Sequence, residues 1–334
     1  MAAELSQENE TLKRIGLWGA PGSGKTTYLA ALNVAVSLAP KDMMLFGVDT
    51  EATDFLADHT EMLVTDRQFP AATQIQRPLN WALNTTVDRP QRKLMKTVMV
   101  PQPYRLNINL LDAPGGQFGS RPTAAPTSRL GLDDDDDNAT SGAGAGDDEF
   151  LMEHLNMCDG IVLLIDPIRE RATGDAFAYF NRTLLRITQL KYGQGDRAPG
   201  RLPQHLAVCI TKFDEPEVYS MARRGGYTTM RRTNGTYLPA VGDNQAVPFF
   251  ESFCRAAQRG NAKLISSAIN QYFMPDRVKY FVTSAIGFYM APGRAFREQD
   301  FMNTVRVSDQ GTRIRGEINP INVVEPLLWL CQNL

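Results

Sequence analysis

The sequence predicts an α/β fold, a mostly parallel sheet with helices on both faces. Three observations carry that expectation. Strand-sized apolar runs alternate with helical stretches along most of the chain. The longest apolar runs, such as Gly160-Ile-Val-Leu-Leu-Ile165, suit buried strands and fall far short of the ~20 residues of a membrane helix. A glycine-rich stretch, Gly19-Ala-Pro-Gly-Ser-Gly-Lys-Thr26, joins the first predicted strand to the first predicted helix.

Taken in order, a strand ends in Arg14–Trp18 and a helix spans Thr27–Leu38. Met43–Val48 suits a buried strand. Glu51–Val64 has helical spacing, with Phe55, Leu56, Met62 and Leu63 on one side, and Pro70 ends the unit. Leu79–Val87 and Tyr104–Leu111 alternate apolar with polar residues as half-buried strands do. A helix over Glu149–Met157, the strand Ile161–Ile165 and a long helix over Arg171–Leu190 follow. Leu206–Ile210 and Val278–Val282 are further strands, Phe249–Gln271 is helical, and Val323–Cys331 closes the chain as a helix. Trp18, Trp81 and Trp329 are expected in the core.

The chain has 334 residues, with 35 basic and 37 acidic side chains and a formal charge of −2. That balance argues against nucleic-acid binding as the main activity. Cys158, Cys209, Cys254 and Cys331 are widely separated and show no zinc spacing, so reduced thiols in a cytoplasmic protein are expected. His59, His154 and His205 show no ligand spacing either. The organisation expected is a tail over 1–12 and one domain over 13–334 with two insertions. The first, 116–148, contains Asp133–Asp137 and a Gly/Ala/Ser run and cannot bury a core. The second, at about 217–247, reads as irregular. Its cluster Arg223, Arg224, Arg231 and Arg232, interleaved with Tyr227, reads as a solvated loop.

The glycine-rich stretch satisfies G-x-x-x-x-G-K-[ST] at every fixed position, and its strand–helix context is the one the pattern requires. The residues from Gly19, Ala20, Pro21, Gly22, Ser23 and Gly24 through Lys25, Thr26 and Thr27 would wrap polyphosphate with backbone N–H groups. Lys25 would reach the β- and γ-phosphates, and the Thr26 hydroxyl would ligate Mg²⁺. Asp112-Ala-Pro-Gly115 follows an apolar strand; Asp112 would hold Mg²⁺ through water and the Gly115 amide would sense the γ-phosphate.

At Thr211-Lys-Phe-Asp214 the chain resembles the P-loop GTPases (a TRAFAC-like G domain), whose fourth motif is [NT]-K-x-D at the end of a strand. The resemblance implies that Asp214 accepts from guanine N1–H and the 2-amino group, while the Lys212 stem lies along the base. A carboxylate left unpaired against the wrong base costs on the order of 2–4 kcal/mol. Thr211 replaces the commoner Asn. Thr283-Ser-Ala-Ile-Gly287 falls where the fifth motif, usually S-A-K, belongs: Ser284 and Ala285 match, and Ile286 replaces the Lys. For the switch-I threonine that completes the magnesium shell, Thr73 is the candidate, with Thr50 and Thr53 as rivals. Phe69-Pro70 before that threonine, and the helical segment before it, also resemble the double-GTPase group of bacterial conflict systems.

The resemblance implies in-line attack of water on GTP, giving GDP and phosphate. Many members orient the water with a glutamine directly after D-x-x-G; here that position is Gly116, and Gln117 comes one later. Pro21 stands where small GTPases keep glycine. Slow intrinsic turnover is therefore expected, raised by a homodimer or by a protein activator, with Arg121 and Arg129 as internal alternatives. The aspartate-rich loop begins where switch II begins, so it would report nucleotide state to an effector. A GTP-binding scaffold without turnover is the competing class. An ATP-dependent motor would leave Thr211–Asp214 without a purpose, and a dynamin-like role lacks the length for a stalk.

Overall fold

Apolar residues on both sides make the strand β1 (Lys13–Gly19) the middle of the fold. Ile15 and Leu17 enter the core on one face, and Trp18 enters the core on the other. The computed structural model describes residues 13–20, 22–39, 43–71, 79–93, 96–110, 151–174, 176–193, 200–233, 235–256, 261–308 and 311–334. Among these, seven strands form one sheet in the order β2-β3-β4-β1-β5-β6-β9. They are β2 (Met44–Gly47), β3 (Leu79–Lys93), β4 (Lys96–Leu110), β5 (Gly160–Ile165), β6 (His205–Ile210) and β9 (Val278–Val282), with β1 at the centre. Pairing is parallel from β4 through β9, and antiparallel where β3 meets β2 and β4.

Helices cover both faces, as a sheet buried on two sides requires. On one face lie α1 (Lys25–Leu38), α2 (Thr50–Val64) and α9 (Glu325–Asn333), packing Leu29, Leu32, Leu56 and Leu330 onto Val162 and Leu164 of β5. On the other lie α3 (151–156), α5 (Ala176–Tyr192), α7 (Asp243–Ala256) and α8 (Ala262–Tyr272), whose Leu155, Phe180, Phe250 and Ile269 meet Ile161 and Leu163. Successive β5 residues thus point to opposite cores, which explains its unbroken apolar sequence.

The chain leaves β1 toward β2, β3 and β4, then crosses back to β5 on the far side. The strand order reverses beside β1. In open sheets of this kind the crevice beyond the carboxyl ends of the strands, at that reversal, is where ligands bind. Register keeps those ends level: Gly19 pairs with Leu164, Ile165 with Ile210, and Ile210 with Val282.

Several expected elements differ in extent. The two alternating strands over 79–87 and 104–111 are the base of one long antiparallel hairpin, paired from Leu79–Leu110 out to Lys93–Lys96. Its outer part carries Asp88, Pro90 and Pro101, which break the apolar alternation that marked the base. The long helix expected over 171–190 is two helices, α4 (Pro167–Thr173) and α5. Gly174, in the left-handed region at φ 66°, caps α4 and turns the chain. Phe249–Gln271 likewise divides into α7 and α8. The stretch read as irregular holds α6 (Pro216–Arg224) and a hairpin of β7 (Thr228–Thr233) and β8 (Thr236–Val241). Its arginines are partly engaged: Arg223 pairs with Glu298, and Arg231 with Glu325 at 2.9 Å. A second small hairpin, β10 (Thr304–Val307) with β11 (Gly311–Ile314), was not among the expected elements. Trp18 and Trp81 are buried, but Trp329 is only half-buried, its ring lying against Phe281 and His205. All four cysteines are buried and free, and burial pushes the Cys158 and Cys331 thiols up to about 12. Among the described residues no helix is long and apolar enough to cross a membrane.

Trp81 ties the sheet to α2. Its ring is fully buried against Phe55, and its indole N–H donates to the Ala52 carbonyl at 2.8 Å. Trp81→Ala leaves a cavity and removes the hydrogen bond that joins the sheet to α2, and is expected to cost about 3–5 kcal/mol, read as a lowered urea midpoint.

Candidate functional site

The glycine-rich loop links the end of β1 to the first turn of α1, at the reversal point of the sheet. Gly22 and Gly24 take left-handed backbone angles, with φ 73° and 94°, so the loop coils tightly before the helix begins. A β-carbon on Gly19 would stand 2.5 Å from the Ser23 hydroxyl and 2.8 Å from the Leu164 carbonyl, so that position accepts no side chain. Lys25 folds back over the loop: its Nζ donates to the carbonyls of Gly19 at 2.9 Å and Ala20 at 3.4 Å. Lys25, Thr26 and Ser23 are buried. The Ser23 hydroxyl is buried and finds no hydrogen-bond partner among the described residues.

Two strands away, the end of β6 carries Thr211–Asp214. The Thr211 amide and hydroxyl both donate to the Ile165 carbonyl, at 2.9 and 3.0 Å, locking this loop to the end of β5. Phe213 is fully buried between Tyr219 and Phe288, edge to face with both, and its amide donates to the Thr283 carbonyl at 3.0 Å. With both neighbours pinned, Lys212 is held in the left-handed region at φ 58°, a conformation that costs a residue with a β-carbon on the order of 1–2 kcal/mol.

Asp214 is buried, and the Ser284 hydroxyl donates to its Oδ1. The same hydroxyl accepts from the Gly287 amide at 2.8 Å. The loops after β6 and β9 therefore share one hydrogen-bond chain. Ser284 is held in turn by a reciprocal backbone pair with Ile321, and Asn303 donates to the Ile286 carbonyl at 3.0 Å. At Gly287, φ is 67° and a β-carbon would stand 2.0 Å from the Asn319 carbonyl, so only glycine fits.

Asp166 is the site residue that sequence reasoning missed. It directly follows β5 and is buried. Its Oδ2 pairs with Lys212 Nζ at 2.7 Å, and its Oδ1 accepts from the amides of Ile168 and Arg169, capping α4. The signal was present: an apolar strand followed by Asp-Pro is a helix-start pattern, with the cap and the first-turn proline adjacent.

The structure gathers Gly19, Ala20, Gly22, Ser23, Gly24, Lys25, Thr26 and Thr27 at one end of the sheet's carboxyl edge, with Thr211, Lys212, Asp214, Ser284 and Ala285 farther along it. The spacing of neighbouring strands puts β6 about 10 Å from β1. Ile286, which stands where the motif usually has Lys, has its side chain packed in the core. Pro21, Thr73, Asp112, Gly115, Gly116, Gln117, Arg121, Arg129 and Asp133–Asp137 lie outside the described residues. The rival threonines sit at the start of α2, on the far edge of the sheet. Thr50 is exposed there, and the Thr53 hydroxyl donates to the Asp49 carbonyl at 2.8 Å. Among the described residues no three metal-ligating side chains cluster.

No family model matches the chain, and no curated protein matches it. Solved structures with partial likeness include the signal recognition particle receptor SRb-GTP/SRX complex from Chaetomium thermophilum, at 12% identity over 85% of this chain and 95% of that one, with TM-score 0.37. Sup35 complexed with GDP matches at 14% identity over 85% of this chain and 40% of that one, with TM-score 0.27. The Ski7 GTPase-like domain of S. cerevisiae, bound to GTP, matches at 9% identity over 85% and 47%, with TM-score 0.32. At these scores the likeness assigns nothing to this chain.

Burial raises the Asp214 carboxyl to about 6, with Glu215 adding to the effect; the Ser284 hydrogen bond and Lys212 oppose it. The folded protein thus holds this proton more tightly than the unfolded chain, whose carboxyl titrates near pH 3.9. The stabilisation is complete below about pH 4 and is lost as pH rises through about 6. Asp214→Asn removes the titrating group. Urea titrations from pH 4 to 7 should show wild type losing on the order of 2 kcal/mol relative to the variant.

Proposed function

We propose that this chain is a P-loop GTPase that binds GTP and GDP with Mg²⁺ and hydrolyses GTP to GDP and phosphate. It would act as a nucleotide-dependent switch in a multiprotein bacterial system, read by a protein effector and helped by an activator or a second copy. The observation that carries this reading is the Asp214–Ser284–Gly287 hydrogen-bond chain, set on the same sheet edge as the glycine-rich loop.

The residues present suit the nucleotide. The left-handed glycines coil the loop in the way that lets backbone amides surround an anion, and the buried Ser23 hydroxyl beside Gly19 has no partner among the described residues. Lys25, which donates to the Gly19 and Ala20 carbonyls, would turn to phosphate oxygens as acceptors when nucleotide binds. Asp214 would accept from guanine N1–H and the 2-amino group, with Ser284 holding the carboxylate in place and the Ala285 amide meeting O6. Its raised carboxyl implies that guanine affinity weakens as pH falls below about 6. Thr26, at the start of α1, would ligate Mg²⁺ together with Asp112 and Thr73. The bound metal would neutralise charge developing on the phosphoryl oxygens. Loop amides and Lys25 would hold the γ-phosphoryl group in line for attack.

A scaffold that binds GTP without turnover is the second reading, favoured by Gly116 at the position of a water-orienting glutamine. Phosphate release below one turnover per hour, despite tight GTP binding, selects it. The decisive experiment concerns base recognition. Asp214→Asn should weaken GTP binding and favour xanthosine triphosphate, whose C2 carbonyl accepts from the new amide. Calorimetry that finds an unchanged base preference removes the guanine assignment, and no heat from wild type with GTP or GDP plus magnesium removes the nucleotide.

A further inference from the structure

Helix α4 delivers Arg169 to the glycine-rich loop. Leu164 of β5 is level with Gly19 of β1, so the residues after Ile165 emerge beside those after Gly19. Asp166 then fixes the first turn of α4. Its Oδ1 accepts from the amides of Ile168 at 2.9 Å and Arg169 at 3.1 Å, and Pro167 presets the backbone. The Arg169 side chain runs back toward the loop. Its Nη1 lies 3.5 Å from the point where a β-carbon on Gly22 would stand.

We infer that Arg169 is a second cationic phosphate ligand, an assignment that rests on the nucleotide reading above. Gly22 lies mid-loop, where backbone amides cradle the α- and β-phosphates, whereas Lys25 reaches toward the β- and γ-phosphates. Arg169 therefore meets the part of the ligand that GDP and GTP share. Its guanidinium stays charged at any working pH and offers parallel N–H donors that match two phosphate oxygens. Its work is retention of nucleotide, not cleavage of the γ-phosphoryl bond. The same Asp166 that orients Arg169 also pairs with Lys212, so both ends of the nucleotide would be braced from one buried carboxylate.

Displacement of a fluorescent GDP analogue by excess GDP, measured by stopped flow, tests this in wild type, Arg169→Ala and Arg169→Lys. Release is expected to be about ten- to a hundredfold faster from Arg169→Ala. Arg169→Lys should fall between, keeping the charge but losing the fork. The rise in melting temperature produced by GDP should shrink in Arg169→Ala by more than any change in the nucleotide-free melting temperature. Release from Arg169→Ala within about twofold of wild type overturns the assignment. Faster release accompanied by an equally large loss of nucleotide-free stability also overturns it, since the residue would then only support the fold. A wild type that binds no guanine nucleotide removes the underlying reading, a failure visible before any variant is compared.

Discussion

Parallel pairing of β1 with β4 on one side and β5 on the other is the constraint from which the remaining geometry follows. A parallel strand cannot return by a tight turn, so each crossover passes through a helix, and the helices must divide between the two faces. Because β1 is the point where the order reverses, its carboxyl end opens into a crevice that no crossover fills. The glycine-rich loop occupies that opening. Level register across β1, β5, β6 and β9 then brings residues separated by nearly the whole chain to one edge.

Along that edge, buried polar groups fix the loops more firmly than apolar packing alone. Thr211 spends two donors on Ile165, and Ser284 joins Asp214 to Gly287. Asp166 divides its two oxygens between Lys212 and the first turn of α4. A buried carboxylate without such partners would be costly, so each one specifies its surroundings. The aromatic cluster of Phe213, Tyr219 and Phe288, with Phe296 and Phe301 packed around it, supplies the rigid floor beneath these polar contacts. Left-handed Lys212 is tolerated because the floor and the ion pair hold it from both sides.

Local sequence determined the glycine-rich loop, the apolar strands β1, β5, β6 and β9, and the alternation that makes the sheet parallel. Each rests on interactions within a few residues: glycine angles, side-chain period and strand-sized apolar runs. The sequence was less informative where an element is held by neighbours distant in the chain. The outer part of the β3–β4 hairpin carries Pro90 and Pro101 and leaves Val98 and Met99 exposed, and β10 and β11 are only four residues each, so pairing alone reveals them. The helix break at Gly174 was hidden because the chain on both sides of it is helical. Only the tertiary structure decided that Asp166 braces Lys212, that Ile286 turns inward and that Arg169 lies against Gly22. Those outcomes depend on which strand ends stand side by side, and strand order is set by packing of the whole sheet.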